Sequence, residues 1–441
     1  MSRRVLIVGG GFTGLTAAYR LSQRGGCAVE LWEKSPDLGG LAGGFSLAGT
    51  SIEKAYHYLF LSDQHAVRLA QELGLGAALH WSPATNGIFL GGTVHPFNTP
   101  WDLLRYRPCP PLDRLRTGLT ALYLKHRNNP APFASHRAAD WMERHCGAGA
   151  ARTIWHPLLR GKFSGYADQV AMDWLWARLN IRARSRSGGG EKFGYFRGGF
   201  ARIAAALAAA ARGRGAQIHT GRSVARLERA GTGLRVTDGD GRAGNYDRVL
   251  FTASSRIFAQ LLGQMPEAPA DYLAQLRAVP YLNALCLVFA SRQELPCPFW
   301  LNVNEPGWPF VVVVHHTRLV PKEDYGGLNV YYIGTYLEAT DPQWTDADDV
   351  LIGRWFGCLG RLFPGFARNK VTEHRLLRLA DAQHVVLPGH ARRIPPHATP
   401  VPGLYLANFA QIYPEDRGTN FAIRDGEKLA GVLIDSLENS P

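Results

Sequence analysis

Arg4-Val5-Leu6-Ile7-Val8, running into Gly9-Gly10-Gly11-Phe12-Thr13-Gly14, is the stretch that decides the fold. Four consecutive apolar residues bounded by glycine predict a short buried strand. Gly9, Gly11 and Gly14 then fall on the pattern GxGxxG, and Leu15, Ala18 and Leu21 recur on a helical period. A second strand, Ala28 to Trp32, ends at Glu33, 19 residues after Gly14. Strand, glycine turn, helix, strand and acid form the full setting of a dinucleotide fingerprint. Gly9 permits the tight turn, Gly11 lets a pyrophosphate approach the backbone, and Gly14 lets helix and strand pack closely. The helix start, with Phe12 and Thr13 in its first turn, offers free N–H groups and a positive dipole to the phosphates. Glu33 can accept hydrogen bonds from a ribose diol.

Gly239-Asp240-Gly241-Arg242-Ala243-Gly244 satisfies the same pattern but lacks the setting. Asp-Gly between Leu234-Arg235-Val236 and Val249-Leu250-Phe251 predicts a hairpin turn with no helix after it. One dinucleotide site is therefore expected, and no separate NAD(P)H domain.

The chain has 441 residues, 46% of them hydrophobic and 19% charged. That composition excludes global disorder and a polytopic membrane protein. The net charge of +13 admits nucleic acid, an anionic membrane surface or an anionic substrate as partner. Six cysteines without a CxxC pair predict neither a zinc site nor a disulfide framework, and suit a reducing cytoplasm. No metal site is expected. No signal peptide fits the N-terminal stretch. The longest apolar run, Ile203 to Ala211, stops at Arg212, short of the ~20 residues that span a bilayer.

Lys34-Ser35-Pro36-Asp37-Leu38-Gly39-Gly40-Leu41-Ala42 places a basic residue and a Gly-Gly pair just beyond Glu33. This segment resembles the FAD-binding amine oxidase, phytoene desaturase and protoporphyrinogen oxidase superfamily, with Leu38 where that family carries arginine. The resemblance implies an α/β fold: a Rossmann-like FAD-binding domain, discontinuous in sequence, with a mixed-sheet substrate domain and a helical cap. It divides the chain into FAD-binding segments 1–85, 191–255 and 396–441, a helical cap 86–190 and a substrate sheet 256–395. It implies FAD, bound non-covalently, with Lys34, Gly39, Gly40, Leu41 and Ala42 along the diphosphate and ribityl chain. Tyr195 to Phe200 and the helix Ala201 to Arg212 look like the family's return into the FAD domain, where Val224 would meet the adenine. Asp416, Gly418, Thr419 and Asn420 would face the flavin at the start of the last helix.

The middle of the chain differs in character. Residues 101–200 hold 17 Lys/Arg against 7 Asp/Glu, and five tryptophans: Trp101, Trp141, Trp155, Trp174 and Trp176. Basic residues interleaved with tryptophan suit an anionic membrane surface or an anionic substrate. A solvated helical face over a tryptophan core is the plainer alternative. No nucleic-acid-binding module is recognisable. Arg178, Arg182, Arg184 and Arg186 read as a surface run beside a mobile glycine loop, Gly188-Gly189-Gly190.

A flavin accepts hydride at N5 with little help, so no catalytic triad is needed. The family's amine oxidases carry a lysine on a strand patterned like Leu282 to Phe289, where this chain has Ala284. That departure disfavours an amine oxidase. It favours an enzyme that takes a hydride from a C–H bond of a bulky, apolar or conjugated small molecule. Oxygen, a quinone or a protein would accept the electrons. His57 and Tyr56 are the candidate catalytic residues near the flavin. Tyr56 to Phe60 and Val94 to Asn98 also resemble UDP-galactopyranose mutase, whose reduced flavin acts without net redox change. There Arg160, Arg178 or Arg182 would bind a diphosphate. A flavin-binding protein without catalysis is the third alternative. The expected location is the cytoplasm, with peripheral membrane contact an option.

Overall fold

The computed structural model describes residues 3–187 and 190–439. Arg3–Val8 is the middle strand of a five-stranded parallel sheet. Its neighbours are Cys27–Glu33 and then Gln217–Thr220 on one side, Arg248–Phe251 and then Leu404–Leu406 on the other. A parallel sheet needs cover on both faces, which is why Val5, Leu6 and Ile7 are all fully buried. Val5 and Ile7 face the helices Phe12–Arg24, Ala201–Arg212 and Thr419–Glu438. Leu6 and Val8 face a three-stranded antiparallel sheet and the helix Ser255–Leu262. The last helix lies close on the first because Gly426 carries no side chain: a Cβ there would sit 2.5 Å from the Thr13 carbonyl oxygen.

The second GxGxxG match is a hairpin turn, but between Gly233–Asp238 and Ala243–Tyr246. The expected partner, Val249 to Phe251, instead enters the parallel sheet. Asp238 holds this turn by accepting from the Asp240 and Arg242 N–H groups at 3.0 and 2.8 Å.

A seven-stranded mixed sheet forms the second body. Its order is Val371–His384, Tyr281–Ser291, Asn329–Leu337, Val312–His315, Trp300–Val303, Asn86–Leu90, Thr93–Pro96. Along Tyr281–Ser291, Leu285, Leu287 and Phe289 pack on the helix Asp348–Leu362. Cys286, Val288 and Ala290 alternate to the opposite face, into the core shared with the parallel-sheet body. Helices Pro100–Arg105, Pro111–Lys125, Ala138–Cys146, His156–Phe163 and Met172–Arg184 cap the molecule. Their core contains Trp155, Trp174 and Trp176, whereas Trp141 is half-buried and Trp101 exposed. Among the described residues, no helix is long and apolar enough to cross a membrane.

The arginine run is corrected in part. Arg178 and Arg182 are four residues apart on Met172–Arg184, so they share a face, and that face lines a cavity. Arg184 is exposed. Gly188 and Gly189 lie outside the described residues.

Candidate active site

The first glycine loop is a cradle. Gly9 has φ +112°, and a Cβ on Gly14 would stand 2.0 Å from the Gly9 carbonyl oxygen. The side of Gly11 is open, its nearest potential neighbour being Gly40 Cα at 3.9 Å. The Gly-Gly pair docks directly on this loop, with the Gly39 N–H donating to the Gly10 carbonyl at 2.8 Å. Glu33 accepts from the Gly10 N–H at 2.6 Å and the Ser35 N–H at 2.7 Å. A carboxylate has about four acceptor sites, so capacity for a diol remains. The first N–H groups of the helix Phe12–Arg24 have no partner within that helix. These residues fit a dinucleotide diphosphate. Val224 begins a strand two residues after Arg222, whose N–H donates to the Glu33 carbonyl at 2.8 Å. Lys34 is exposed; Leu41 and buried Ala42 continue the loop inward.

Leu41 also lines a small void with Tyr56, His57, Ala284, Tyr336 and Arg417. That void adjoins a cavity of about 220 Å³. Aromatic rings of Tyr58, Phe60, Trp174, Trp300 and Phe421 line the cavity, as do Lys162, Arg178, Arg182 and Arg417. Gly418, Thr419 and Asn420 bring the N-terminus of the last helix to its wall.

One carboxylate organises the cations. Asp416 is buried and contacts Lys162 Nζ at 2.8 Å and Arg178 Nη1 at 3.7 Å, and accepts from Trp174 Nε1 at 3.3 Å. Burial alone would raise its pKa, but Lys162, Arg178 and Arg417 outweigh it and hold the carboxyl well below its usual range. Arg182 pairs with buried Glu191 at 2.7 Å. Asp63 accepts from the Phe60 N–H at 2.9 Å, and burial pushes its pKa up to about 6. Arg417 is held by neutral groups: it donates to Gln383 Oε1 at 2.9 Å and to the Tyr336 hydroxyl at 3.0 Å.

His57 and Tyr56 stand side by side on this cavity. Desolvation, with a further push from Arg417, lowers the His57 pKa to about 4, so the ring is neutral. Its Nδ1 lies 2.7 Å from the Ala55 carbonyl, which fixes the proton on Nδ1 and leaves Nε2 as an acceptor. The Tyr56 and Tyr336 hydroxyls are hydrogen-bonded to each other, and Tyr336 also accepts from Arg417 at 3.0 Å. Burial raises both phenols, but for Tyr336 the charges of Arg417 and Lys162 reverse the sign and the net shift is downward.

The structure brings Tyr56, His57, Arg178, Arg182, Asp416, Gly418, Thr419 and Asn420 together. Arg160 is exposed and outside the cavity lining. The side chain of Asn420 is committed elsewhere, accepting from His65 and Ala66 N–H groups at 2.9 and 3.2 Å at the start of the helix Gln64–Glu72. Lys162, Tyr336 and Arg417 were not singled out from the sequence. Lys162 had a readable signal: it lies two residues from Arg160, about 200° around a helix, so only one of the pair can face inward. Tyr336 carries none; Arg417 closes the charged run Tyr413 to Arg417, readable as a cover for the flavin edge or a charged cap, but nothing local pairs it with a residue 81 positions away.

The family match defines the class as an FAD-dependent oxidoreductase. The chain belongs to the flavin-containing amine oxidoreductases, whose family model matches residues 12–430. No curated protein matches it. Solved structures share the fold at low identity. An Exiguobacterium sp. 255-15 protein, provisionally designated a protoporphyrinogen oxidase, is 20% identical with TM-score 0.78, each chain covered in full. Cyclohexylamine oxidase from Brevibacterium oxydans IH-35A is 16% identical with TM-score 0.74, again with both chains fully covered. Reduced UDP-galactopyranose mutase is 16% identical with TM-score 0.75, over 98% of this chain and 96% of that one.

Proposed function

We propose that this enzyme takes a hydride from a C–H bond of a small molecule that combines a bulky, apolar or conjugated body with an anionic group. The observation that carries the reading is the convergence of Lys162, Arg178, Arg182 and Arg417 on a cavity rich in aromatic and aliphatic side chains. Bound FAD supplies the hydride acceptor, N5 of its flavin ring. Tyr58, Phe60, Trp174 and Trp300 would enclose the apolar body and exclude water. Arg417, whose hydrogen-bond partners Gln383 and Tyr336 are neutral, would turn its guanidinium to the anion. Neutral His57 would offer Nε2 to the bound substrate as a hydrogen-bond acceptor, and Tyr336 would sit beside it in the field of Arg417. Gly11, the helix Phe12–Arg24 and Glu33 would hold the diphosphate and ribose, with Gly39 and Gly40 beneath them.

An amine substrate is opposed twice. A protonated amine would meet a cavity in which four cations, Lys162, Arg178, Arg182 and Arg417, outnumber the lining carboxylates Asp63 and Asp416, and the strand position where the family's amine oxidases carry lysine is Ala284. The second reading is a sugar mutase, supported by Arg178 and Arg182 on one wall, where a diphosphate could dock.

Anaerobic titration of the oxidised protein decides between them. A conjugated carboxylate or phosphate that bleaches the flavin supports hydride transfer. Turnover of a nucleotide sugar only after prior reduction, with no net redox change, supports the mutase and removes the first reading. Bleaching by primary amines would overturn the anion assignment.

A further inference from the structure

The helix Pro111–Lys125 has two apolar faces. Thr117, Thr120 and Leu124 are buried against the cap. On the opposite side Leu112, Leu115, Leu119 and Leu122 are 65, 54, 59 and 56% exposed. Trp101 at 67% and Leu104 on the neighbouring helix Pro100–Arg105, together with Tyr123, extend the same patch. These are seven of the eight large apolar side chains that stand exposed among the described residues. Isolated exposed leucines need no explanation, but a contiguous stripe of them marks an interaction surface.

We infer that this face seats the protein on an anionic lipid bilayer, lying in the interface without crossing it. The charge around the stripe selects this occupant. Residues 101–127 contain Arg105, Arg107, Arg114, Arg116, Lys125 and Arg127 against only Asp102 and Asp113. Both acids are turned to structural use: Asp102 caps its own helix, and Asp113 accepts from the Gly149 N–H at 2.8 Å. Arg105, Arg107, Lys125 and Arg127 are exposed. A second copy of this chain would bring the same cations against each other across the leucines. Anionic headgroups complement them, while leucine and tryptophan enter the acyl boundary. The helix is 15 residues long, too short to span. Its inner side receives Asn180 Nδ2 on the Leu124 carbonyl at 3.2 Å, so the seated helix lies directly against Met172–Arg184, the cavity wall.

The test is co-sedimentation of the FAD-loaded full chain with vesicles. With equimolar phosphatidylglycerol and phosphatidylcholine the protein pellets; with phosphatidylcholine alone it stays largely in solution, and added salt weakens binding. Leu115→Asp with Leu119→Asp lowers the partition about tenfold or more, since both leucines would lose their apolar burial in the acyl boundary. Flavin absorbance and melting temperature stay as in the wild type. Lys125→Glu with Arg127→Glu, which leaves the leucines intact, lowers binding to the anionic vesicles alone. Absence of pelleting on anionic vesicles overturns the inference. So does equal pelleting by the double aspartate variant, or light scattering that shows a wild-type dimer dissociated by it.

Discussion

The cofactor cradle and the cavity are assembled by opposite rules. The cradle comes from one local run, Gly9 to Ala42, and each residue's duty follows from its neighbours in sequence. The cavity draws single residues from positions as distant as Ala55 and Phe421, and its central ion pair, Lys162 with Asp416, joins residues 254 positions apart. Backbone geometry decides the first, and balanced charge decides the second. The two should therefore fail differently when broken.

The largest effect is expected at the cradle. Gly14→Val pushes a side chain into the Gly9 carbonyl, and only a backbone shift can relieve it. FAD affinity should fall roughly 100-fold, from overpacking of this kind. The purified variant would lack flavin absorbance while far-UV circular dichroism stays near wild type. A variant that retains stoichiometric flavin would end the assignment of this loop to the diphosphate.

Next comes the centre of the cavity. Asp416→Asn leaves Lys162 and Arg178 facing each other without the carboxylate between them. Breaking a buried pair from one side should cost about 3 kcal/mol, read as a lower denaturant midpoint. The pH sign follows from the depressed pKa. Asp416 contributes its stability above the unfolded carboxylate range and loses it as pH falls through the folded value. The Asn variant should thus be less acid-sensitive than the wild type, and equal acid sensitivity would count against the pairing.

That contrast also explains what could be read from the sequence. The first two strands of the parallel sheet, the fingerprint and Glu33 are legible because strand, turn and helix signals sit within forty residues. Ala201–Arg212 and the last helix were legible by apolar period. Arg178 and Arg182 were named as anion ligands, yet their i,i+4 spacing was not used to turn them inward. Arg160 was preferred to Lys162 although one helix cannot present both to the same side. Tyr336 with Arg417 was invisible, since no local pattern encodes a contact between a sheet strand and the loop before the last helix.

Glu53 joins the two regions, and its variant gives a smaller, pH-specific effect. Its carboxylate accepts from the Phe200 N–H at 2.6 Å and the Tyr195 hydroxyl at 2.8 Å, at the return into the parallel-sheet body. Its carbonyl accepts from Tyr332 of the large sheet at 3.1 Å. Desolvation raises its pKa to about 7, against both hydrogen bonds. A raised carboxyl favours the folded state at low pH, and that stability is lost as pH climbs from the unfolded value near 4.5 through 7. Between those limits the change should be about 2.5 kcal/mol. Glu53→Gln should flatten the melting temperature between those limits, and a curve as steep as wild type would exclude Glu53 as the source.

The smallest effects test helical phase in the cap. Arg160 and Lys162 share the helix His156–Phe163, one exposed and one on the cavity. Arg160→Gln removes an exposed charge and should change stability by no more than about 0.5 kcal/mol. It should leave KM for an anionic substrate alone. Lys162→Gln releases Asp416 from its closest cation and weakens the field at the cavity, so KM should rise several-fold with little change in kcat. The pair is informative because charge removed and sequence distance are nearly the same in both; only the direction of the side chain differs. If Arg160→Gln raised KM as much as Lys162→Gln, the effect would be long-range charge and not contact, and the cavity would be less sharply defined than its ion pairs imply.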